Sequence, residues 1–182
     1  TTEGYQYGES GLLYQYDKSE RRGYGINFRE RTNDYPQYHK DQQSWDVIDE
    51  HGNLIAIFYS DFFPRDGKGA GAWCGRFRAQ SYDGTMRVQP IVTNVCNMTL
   101  PAEEGGPALQ TVDNVLTMFH EFGHALHSFF RDVKYQGTGG VERDFVELPS
   151  QINEHWAFEP EVLRQYARHY KTGEVIPQEL VE

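Results

Sequence analysis

The feature that most constrains the fold of this 182-residue chain is an apolar stripe at helical spacing in its second half. The stripe recurs every three or four residues and consists of Val112, Val115, Leu116, Phe119, Phe122, Leu126 and Phe130. This period places its members on one face of an α-helix, which has to be buried against a core. Thr111 or Asp113 can cap the start of the helix, and the QGTGG segment at 136–140 predicts its end and a mobile loop.

Strands are predicted before this helix, in runs rich in β-branched and aromatic residues. The runs are YGINFRE, WDVIDE and LIAIFYSDFF at residues 24–30, 45–50 and 54–63. Gly52 and Asn53 predict the turn between the last two runs. A further strand, VQPIVTNVCNM at 88–98, is predicted near a sheet edge because Pro90 has no N–H to donate to a neighbouring strand.

Two further helices are predicted after the QGTGG segment. The first is VERDFVELPSQINEHWAF at 141–158, interrupted or kinked near Pro149, and the second is EPEVLRQYARHY at 159–170, with Pro160 in its first turn. PRDGKGAGAW at 64–73 predicts a loop. Its Arg65 and Lys68 are expected to be solvated, the alternative being contact with an anionic group of a substrate. The fold class is therefore α+β, with a small and mostly antiparallel sheet.

The net charge of −10 disfavours nucleic acid and anionic membranes as main partners. No run approaches 18 consecutive apolar residues, so no membrane span is expected. Residues 1–23 have little periodicity and are interpreted as a lead-in with a short helix near Leu12 and Leu13. They contain no export signal, so we expect a cytoplasmic protein, with the periplasm as the alternative. Cys74 and Cys96 are expected to be free thiols rather than a disulfide or a metal pair.

The HEFGH motif lies on the predicted helix. Residues four apart on a helix face the same side, so His120 and His124 can bind one Zn²⁺, and Glu121 can act as a general base beside the metal. Two histidines leave the metal under-coordinated, so a third ligand is required. The acidic residues that could return to the metal from the second helix are Glu142, Asp144, Glu147 and Glu154. Of these, Glu147 is the natural closure with His120 across a helix–loop–helix hairpin.

Two nearby residues are less suited to ligation. His127 follows His124 by three residues, but it lies two turns, about 10 Å, beyond His120 along the helix axis. We therefore expect it to pack or to form hydrogen bonds near the site. Asp113 lies on the same face two turns before His120 and could orient an imidazole, although a role at the helix start is favoured.

Several longer segments resemble the thimet oligopeptidase and peptidyl-dipeptidase family of zinc metallopeptidases. The segments that carry the resemblance are FHEFGHALH, RDFVELPSQINEHWA, NDYPQYH, YSDFFPRDGKGAGAW and VTNVCN. They extend with gaps from about Tyr24 to Val162, which is most of the chain. The SQINEHWA segment resembles the bacterial dipeptidyl carboxypeptidase branch more than the animal oligopeptidases. Oligopeptidase A belongs to the same wider family.

The resemblance implies a zincin-like catalytic core whose sheet packs against the HExxH helix and the helices after it. It implies one Zn²⁺ per chain, with His120, His124 and Glu147 as ligands and Glu121 as the catalytic base. It also implies hydrolysis of short oligopeptides, with release of C-terminal dipeptides. Residues 24–182 would then be a fragment of a catalytic domain, because the family's N-terminal helical half and its C-terminal oxyanion-stabilising segment have no counterpart here. The remaining parts of the parent enzyme are expected to be needed.

Two other hypotheses are compatible with the residues. One is a zinc-holding fragment that binds peptides without turnover, because the family's oxyanion-stabilising residues are not matched in this chain. The other is a structural helical hairpin whose histidines are incidental. The interval from His124 to Glu147 is also two residues shorter than is usual in the family, which puts substrate contacts from the QGTGG segment in doubt.

Overall fold

A computed structural model describes Tyr5–Gln6 and residues 24–103, 106–135 and 137–181 of the chain. Its strands are β1 (Tyr5–Gln6), β2 (Ile26–Glu30), β3 (Gln43–Asp49), β4 (Leu54–Asp61), β5 (Trp73–Arg78), β6 (Ser81–Asp83), β7 (Met86–Val88), β8 (Ile91–Val95) and β9 (Arg168–His169). Its helices are α1 (Val112–Phe129), α2 (Leu148–Trp156) and α3 (Pro160–Tyr166), followed by a 3₁₀ turn at Gln178–Leu180. The α+β prediction is confirmed.

The main sheet has five strands in the order β2-β3-β4-β8-β5. Only the β4–β8 pair is parallel, so the sheet is mostly antiparallel, as predicted. Gly52 adopts a φ of 86° in the turn between β3 and β4. The Asp49 carboxylate closes that turn by accepting hydrogen bonds from the backbone N–H groups of His51 and Asn53. Two short antiparallel pairs lie outside this sheet: the hairpin β6–β7, and β1 with β9, which are far apart in the chain.

The position of β8 contradicts the edge prediction. β8 lies between β4 and β5, and Pro90 precedes the strand, where its carbonyl accepts a hydrogen bond from the N–H of Ile57. Its missing N–H therefore costs no bond within the sheet. The edge is formed instead by β5, for which the sequence gives no prediction because Gly75, Arg76 and Arg78 interrupt any apolar alternation.

One face of the sheet packs against α1. Buried side chains from the two layers form a single core, with Trp45, Val47, Ala56, Phe58 and Val92 from the sheet and Ala125, Leu126 and Phe129 from the helix. The rings of Phe58 and Phe129 meet edge to face with centroids 5.5 Å apart, a favourable aromatic geometry. Burial of this apolar surface fixes the rotation of α1 about its axis, and with it the direction in which the polar face of the helix points.

The helix boundaries agree with the sequence in part. Thr111 caps α1, because its side chain accepts a hydrogen bond from the N–H of Asn114, and Pro160 opens α3 as predicted. The second helix begins at Leu148, so the prediction that it starts at residue 141 is wrong. Pro149 lies in the first turn of α2 rather than at a kink, which suits a residue without an N–H.

The structure tests some of the remaining predictions and not others. Cys74 and Cys96 are free cysteines, as expected. The short helix predicted near Leu12 and Leu13 lies outside the described residues. Within the described part of the chain, every helix is too short or too polar to cross a membrane.

The loop after β4 is held by a buried carboxylate. Asp61 is 1% exposed and accepts two hydrogen bonds from the Arg65 guanidinium, at 2.7 and 2.8 Å, and one at 3.0 Å from Nζ of Lys68. The Lys68 side chain is itself only 3% exposed, so the expectation of solvated loop charges is wrong. Burial opposes ionisation of Asp61, but the hydrogen bonds from Arg65, Lys68 and Tyr38 lower its pKa below the usual value.

Asn97 fixes the far end of the same loop. Its Nδ2 donates to the carbonyls of Gly69 and Gly71 at 2.9 and 2.7 Å, directly before β5 begins at Trp73. The loop is therefore tied to the sheet at both ends, and these ties determine where the edge strand starts.

Replacing Asp61 with Asn should lower the free energy of unfolding by about 3–5 kcal/mol, because it leaves the buried Lys68 ammonium without its carboxylate. Unfolding in urea measures the change. Asp66→Asn, at an exposed position in the same loop, is the matched control and should stay within about 0.5 kcal/mol of the parent. Equal losses in the two variants would show that the cluster is not the source of stability.

Candidate metal centre

The polar face of α1 presents His120 and His124 side by side, with ring centroids 5.1 Å apart. The Nε2 atoms of both imidazoles lie 3.1 Å from Oε2 of Glu147, which stands immediately before α2. One ligand atom from each of the three residues lies within 4.8 Å of the others. The structure therefore brings the two histidines of the HEFGH motif together with Glu147, one of the four acidic residues considered as a third ligand. This cluster is compatible with a metal site.

This meeting depends on a close approach of the two helices at Gly123. A Cβ atom at this position would lie 2.5 Å from the carbonyl oxygen of Pro149 and 2.6 Å from Cα of Ser150. Any side chain would therefore collide with backbone atoms of α2. A hydrogen bond of 2.6 Å from Nδ2 of Asn153 to the carbonyl of Phe119 joins the helices at the same level.

Glu147 is oriented by its own helix. The Ser150 hydroxyl donates to Oε2 of Glu147 at 2.8 Å. This hydrogen bond lowers the pKa of Glu147, and interactions with His124 and His120 lower it further. The carboxylate is therefore held ionised, the state in which an oxygen ligand binds a cation.

Glu154 is an additional contact of the cluster. Its Oε1 lies 2.5 Å from Nδ1 of His120. A carboxylate in this position fixes the ring orientation and the tautomer, leaving Nε2 of His120 directed at the Glu147 carboxylate. Sequence reasoning named Glu154 only as one of several acidic residues. The signal that distinguishes it is its offset of seven from Glu147, which places both on one face two turns apart.

The other candidates lie outside the cluster. Glu142, Asp144 and Asp113 are exposed, and the structure gives none of them a contact with the two imidazoles. His127 is also exposed and is not among the clustered ligand atoms of the described residues. It does line the cleft beside the cluster, in agreement with the expectation that it packs nearby.

Glu121 is buried under the same cleft, at 7% exposure. Burial raises its pKa, the nearby Glu147 carboxylate acts in the same direction, and His120 opposes the rise. Burial also lowers the pKa of His124, which favours the neutral imidazole. The Glu121 carboxylate, whose pKa is raised, thus lies in the same cleft as His124, whose pKa is lowered towards the neutral imidazole.

The cleft above these groups has a volume of about 580 Å³. Three parts of the fold line it: the start of β5, the polar face of α1 and the glycine-rich segment that follows α1. The wall from β5 is formed by Trp73, Cys74 and Arg76. Because β5 is an edge strand, the cleft runs along strand backbone on one side and past the clustered histidines on the other.

Gly123→Ala should lower the free energy of unfolding by about 1–3 kcal/mol or more, because the new methyl group must push the α2 backbone away from α1. Gly140→Ala is the matched control, since a Cβ there meets nothing within 4 Å and the backbone φ is not positive. Urea unfolding of both variants provides the comparison. A Gly123→Ala protein as stable as the control would contradict the close approach.

The chain is similar in sequence to several peptidases. The chain is 50% identical to the dipeptidyl carboxypeptidase of Escherichia coli (strain K12) over 159 residues, which cover 86% of this chain and 23% of that protein. It is 40% identical to oligopeptidase A of Salmonella typhimurium over 169 residues, covering 89% and 24%. It is 37% identical to the thimet-like oligopeptidase of Dictyostelium discoideum over 156 residues, covering 81% and 23%.

The chain thus spans about a quarter of the length of these relatives. The family described as Peptidase family M3 matches residues 13–182, which is nearly the whole sequence and includes every residue of the histidine and glutamate cluster. On that match, the chain belongs to peptidase family M3.

Proposed function

We propose that this chain is the metal-bearing part of a zinc-dependent peptidase that hydrolyses peptide bonds in short oligopeptides. The observation that carries the proposal is the pair of Nε2 atoms, from His120 and His124, each 3.1 Å from the same oxygen of Glu147, beside a buried Glu121 at the base of an open cleft. Ordinary core packing does not bring two imidazoles and a carboxylate to one point beneath a cleft that is open to a ligand.

The residues present fit a zinc ion. Ligand atoms at about 2.0–2.1 Å from a tetrahedral ion lie about 3.3 Å apart, close to the 3.1 Å between each imidazole Nε2 and the Glu147 oxygen. Two neutral imidazoles and one carboxylate are the ligand set of many catalytic zinc sites, which keep a fourth position open. We therefore assign one Zn²⁺ per chain to His120, His124 and Glu147, with Glu154 orienting His120.

When bound, Zn²⁺ supplies a Lewis acid that activates a water molecule and polarises the carbonyl of the scissile bond. Glu121 is assigned the role of general base. It accepts a proton from the attacking water and delivers it to the nitrogen of the leaving amine. The burial that raises the pKa of its carboxyl suits this task, because a group that must take up and pass on a proton works best with a pKa shifted towards the working pH.

The peptide itself is assigned to the edge of the sheet. β5 pairs only with β8 among the strands that the structure describes, so its other side can take up an extended peptide by strand addition. β8, the strand predicted near an edge, is enclosed between β4 and β5 and has no free side for a peptide. Gly139, Gly140 and Val141 line the opposite wall of the cleft, where the segment after α1 can cover a bound peptide.

The position of the cleaved bond and the extent of the catalytic domain are also proposals. Identity of 50% to a dipeptidyl carboxypeptidase supports release of C-terminal dipeptides, and the oligopeptidase A relatives make internal cleavage the alternative. We assign residues 24–182 to a zincin-like catalytic domain fragment and residues 1–23 to a lead-in.

Further polypeptide is proposed to cover α2. Leu148, Ile152 and Trp156 on this helix are 44–51% exposed, and apolar side chains exposed together on one helix mark an interaction surface. The relatives are about four times as long as this chain, which makes the remaining parts of the parent enzyme the proposed partner of this surface.

Metal content tests the ligand assignment. The purified protein should hold about one zinc per chain after dialysis, measured by elemental mass spectrometry, and Glu147→Ala should hold much less because one of three ligands is lost. Asp144→Ala, three residues away and exposed, is the matched control and should retain the zinc of the parent. Equal zinc in the Glu147 and Asp144 variants would reject the assignment.

Cleavage tests the activity. A short peptide incubated with zinc-loaded protein should yield fragments by mass spectrometry, and a chelator should abolish them. Glu121→Gln should keep the zinc and reduce the rate by roughly 10²–10⁴-fold, because a base is lost while the ligands remain. Zinc-dependent retention of intact peptide would instead support a peptide-binding fragment without turnover.

A further inference from the structure

The cleft that contains the metal cluster is also lined by two cationic side chains. Arg76 reaches it from β5, and Arg131 reaches it from the segment just after α1. Within the ranges that the structure describes, neither guanidinium forms an ion pair or a side-chain hydrogen bond, and Nε of Arg131 is buried without any acceptor. Two arginines therefore face one cavity with their donors unused.

Arg131 is held in place by its surroundings. A Cβ atom at Gly139 would lie within 2.1 Å of Nε, Nη2 and Cζ of Arg131, so the guanidinium occupies the space that a side chain at 139 would need. The backbone carbonyl of Arg131 accepts a hydrogen bond of 3.0 Å from Nη2 of Arg87, whose Nη1 donates to the carbonyl of Ile55 in β4. The backbone of Arg131 is thus fixed after the end of α1, and its guanidinium lies against Gly139 of the glycine-rich segment.

The arrangement is electrostatically unfavourable without a ligand. Burial lowers the pKa of the Arg131 guanidinium, and the positive charge of Arg76 lowers it further. Buried donors without partners and adjacent like charges both cost free energy, and an anion between the two guanidiniums would relieve both. Guanidinium groups bind carboxylates in particular, through paired N–H donors.

Three described carboxylates near the cleft are engaged with other groups. Asp132, next to Arg131 in sequence, accepts a hydrogen bond of 2.8 Å from the Tyr82 hydroxyl and lies 3.9 Å from Nε of Arg87. Glu147 contacts the two histidines and Ser150, and Glu121 is buried below them. Within the described ranges, these three carboxylates do not pair with the two arginines, which favours a bound molecule as the source of their partner.

We propose that Arg76 and Arg131 form a subsite for a carboxylate of the bound peptide, and that this subsite determines which peptides the cleft prefers. The inference rests on the proposed function. Arg76 follows Cys74 by two residues, on the same face of β5 and about 7 Å further along the strand. The carboxylate recognised is therefore within about two residues of the bond at the metal, and it belongs either to the C-terminus of the peptide or to an acidic side chain.

Peptide binding tests the subsite independently of turnover. The zinc-loaded protein with Glu121→Gln, which keeps the peptide intact, is titrated with peptides of one neutral sequence. One peptide has an amidated C-terminus, one has a free C-terminal carboxylate, and a set of amidated peptides carries a single Glu at successive positions. At least one carboxylate peptide should bind about tenfold or more tightly than the neutral amide, since two charge-assisted contacts are gained. A preference for the free C-terminus identifies that group, and a preference for one Glu position identifies a side chain.

Arg76→Gln and Arg131→Gln should each remove most of this preference while leaving the affinity for the neutral amide within about twofold. Arg29→Gln removes the same charge from β2, at the opposite edge of the sheet, and should leave the preference intact. Because Arg76 is exposed, its variant remains informative even where Arg131→Gln disturbs the fold.

No carboxylate preference in the parent, or a preference that survives both arginine variants, would overturn the proposal. In the second case the carboxylate binds elsewhere, for example at the metal. If the parent shows the preference, the arginine variants lose it, and the protein never cleaves peptides, the subsite is supported and only the proposed activity is rejected. Failure of the subsite and failure of the proposed function are therefore distinguishable.

Discussion

The close approach of α1 and α2 at Gly123 is the constraint on which the rest of the site depends. Because this residue has no side chain, the first turn of α2 rests directly on the middle of α1. Glu147, just before that turn, then reaches His120 and His124, and Glu154, two turns later, reaches the other nitrogen of His120. The glycine of HEFGH is therefore a packing requirement, and the chemistry of its neighbours follows from it.

The sheet supplies the second half of the cleft by independent means. Apolar contacts such as that between Phe58 and Phe129 set the rotation of α1, so the histidine face points away from the core. Asp61 and Asn97 tie down the loop that leads into β5. One wall is thus positioned by helix packing and the other by a buried ion cluster, and the cleft lies where the two meet.

The sequence predicted those parts of the molecule that have a strong local period. The stripe in α1 and its cap at Thr111 are examples, and helical spacing alone paired His120 with His124. Helical spacing could not choose among four acidic residues for a third contact, because the choice depends on a packing distance between two helices. The sequence favoured Glu147 as the natural closure of the hairpin, and only the family resemblance assigned it as the ligand.

Other features could not be read from local pattern. β5 is half exposed and interrupted by Gly75 and arginines, so it has no apolar alternation to detect. The edge prediction for β8 failed because Pro90 lies just before the strand, and the second helix was started too early because Pro149 belongs to a first turn. Arg65 and Lys68 looked like solvated charges because their partner, Asp61, is a strand residue whose burial is a tertiary property.

The insertion of β8 between β4 and β5 affects the order in which the strands fold and unfold. β5 precedes β8 in the chain, yet β8 is its only strand neighbour in the described part of the sheet. During synthesis β5 therefore has no place to dock until β8 has emerged and found β4. In the folded protein the same dependence makes β5 a separable unit, which can detach from β8 while β2, β3 and β4 stay paired. Amide exchange along β5 would then be faster than in the sheet interior, and the wall of the cleft would be the part of the sheet that opens first.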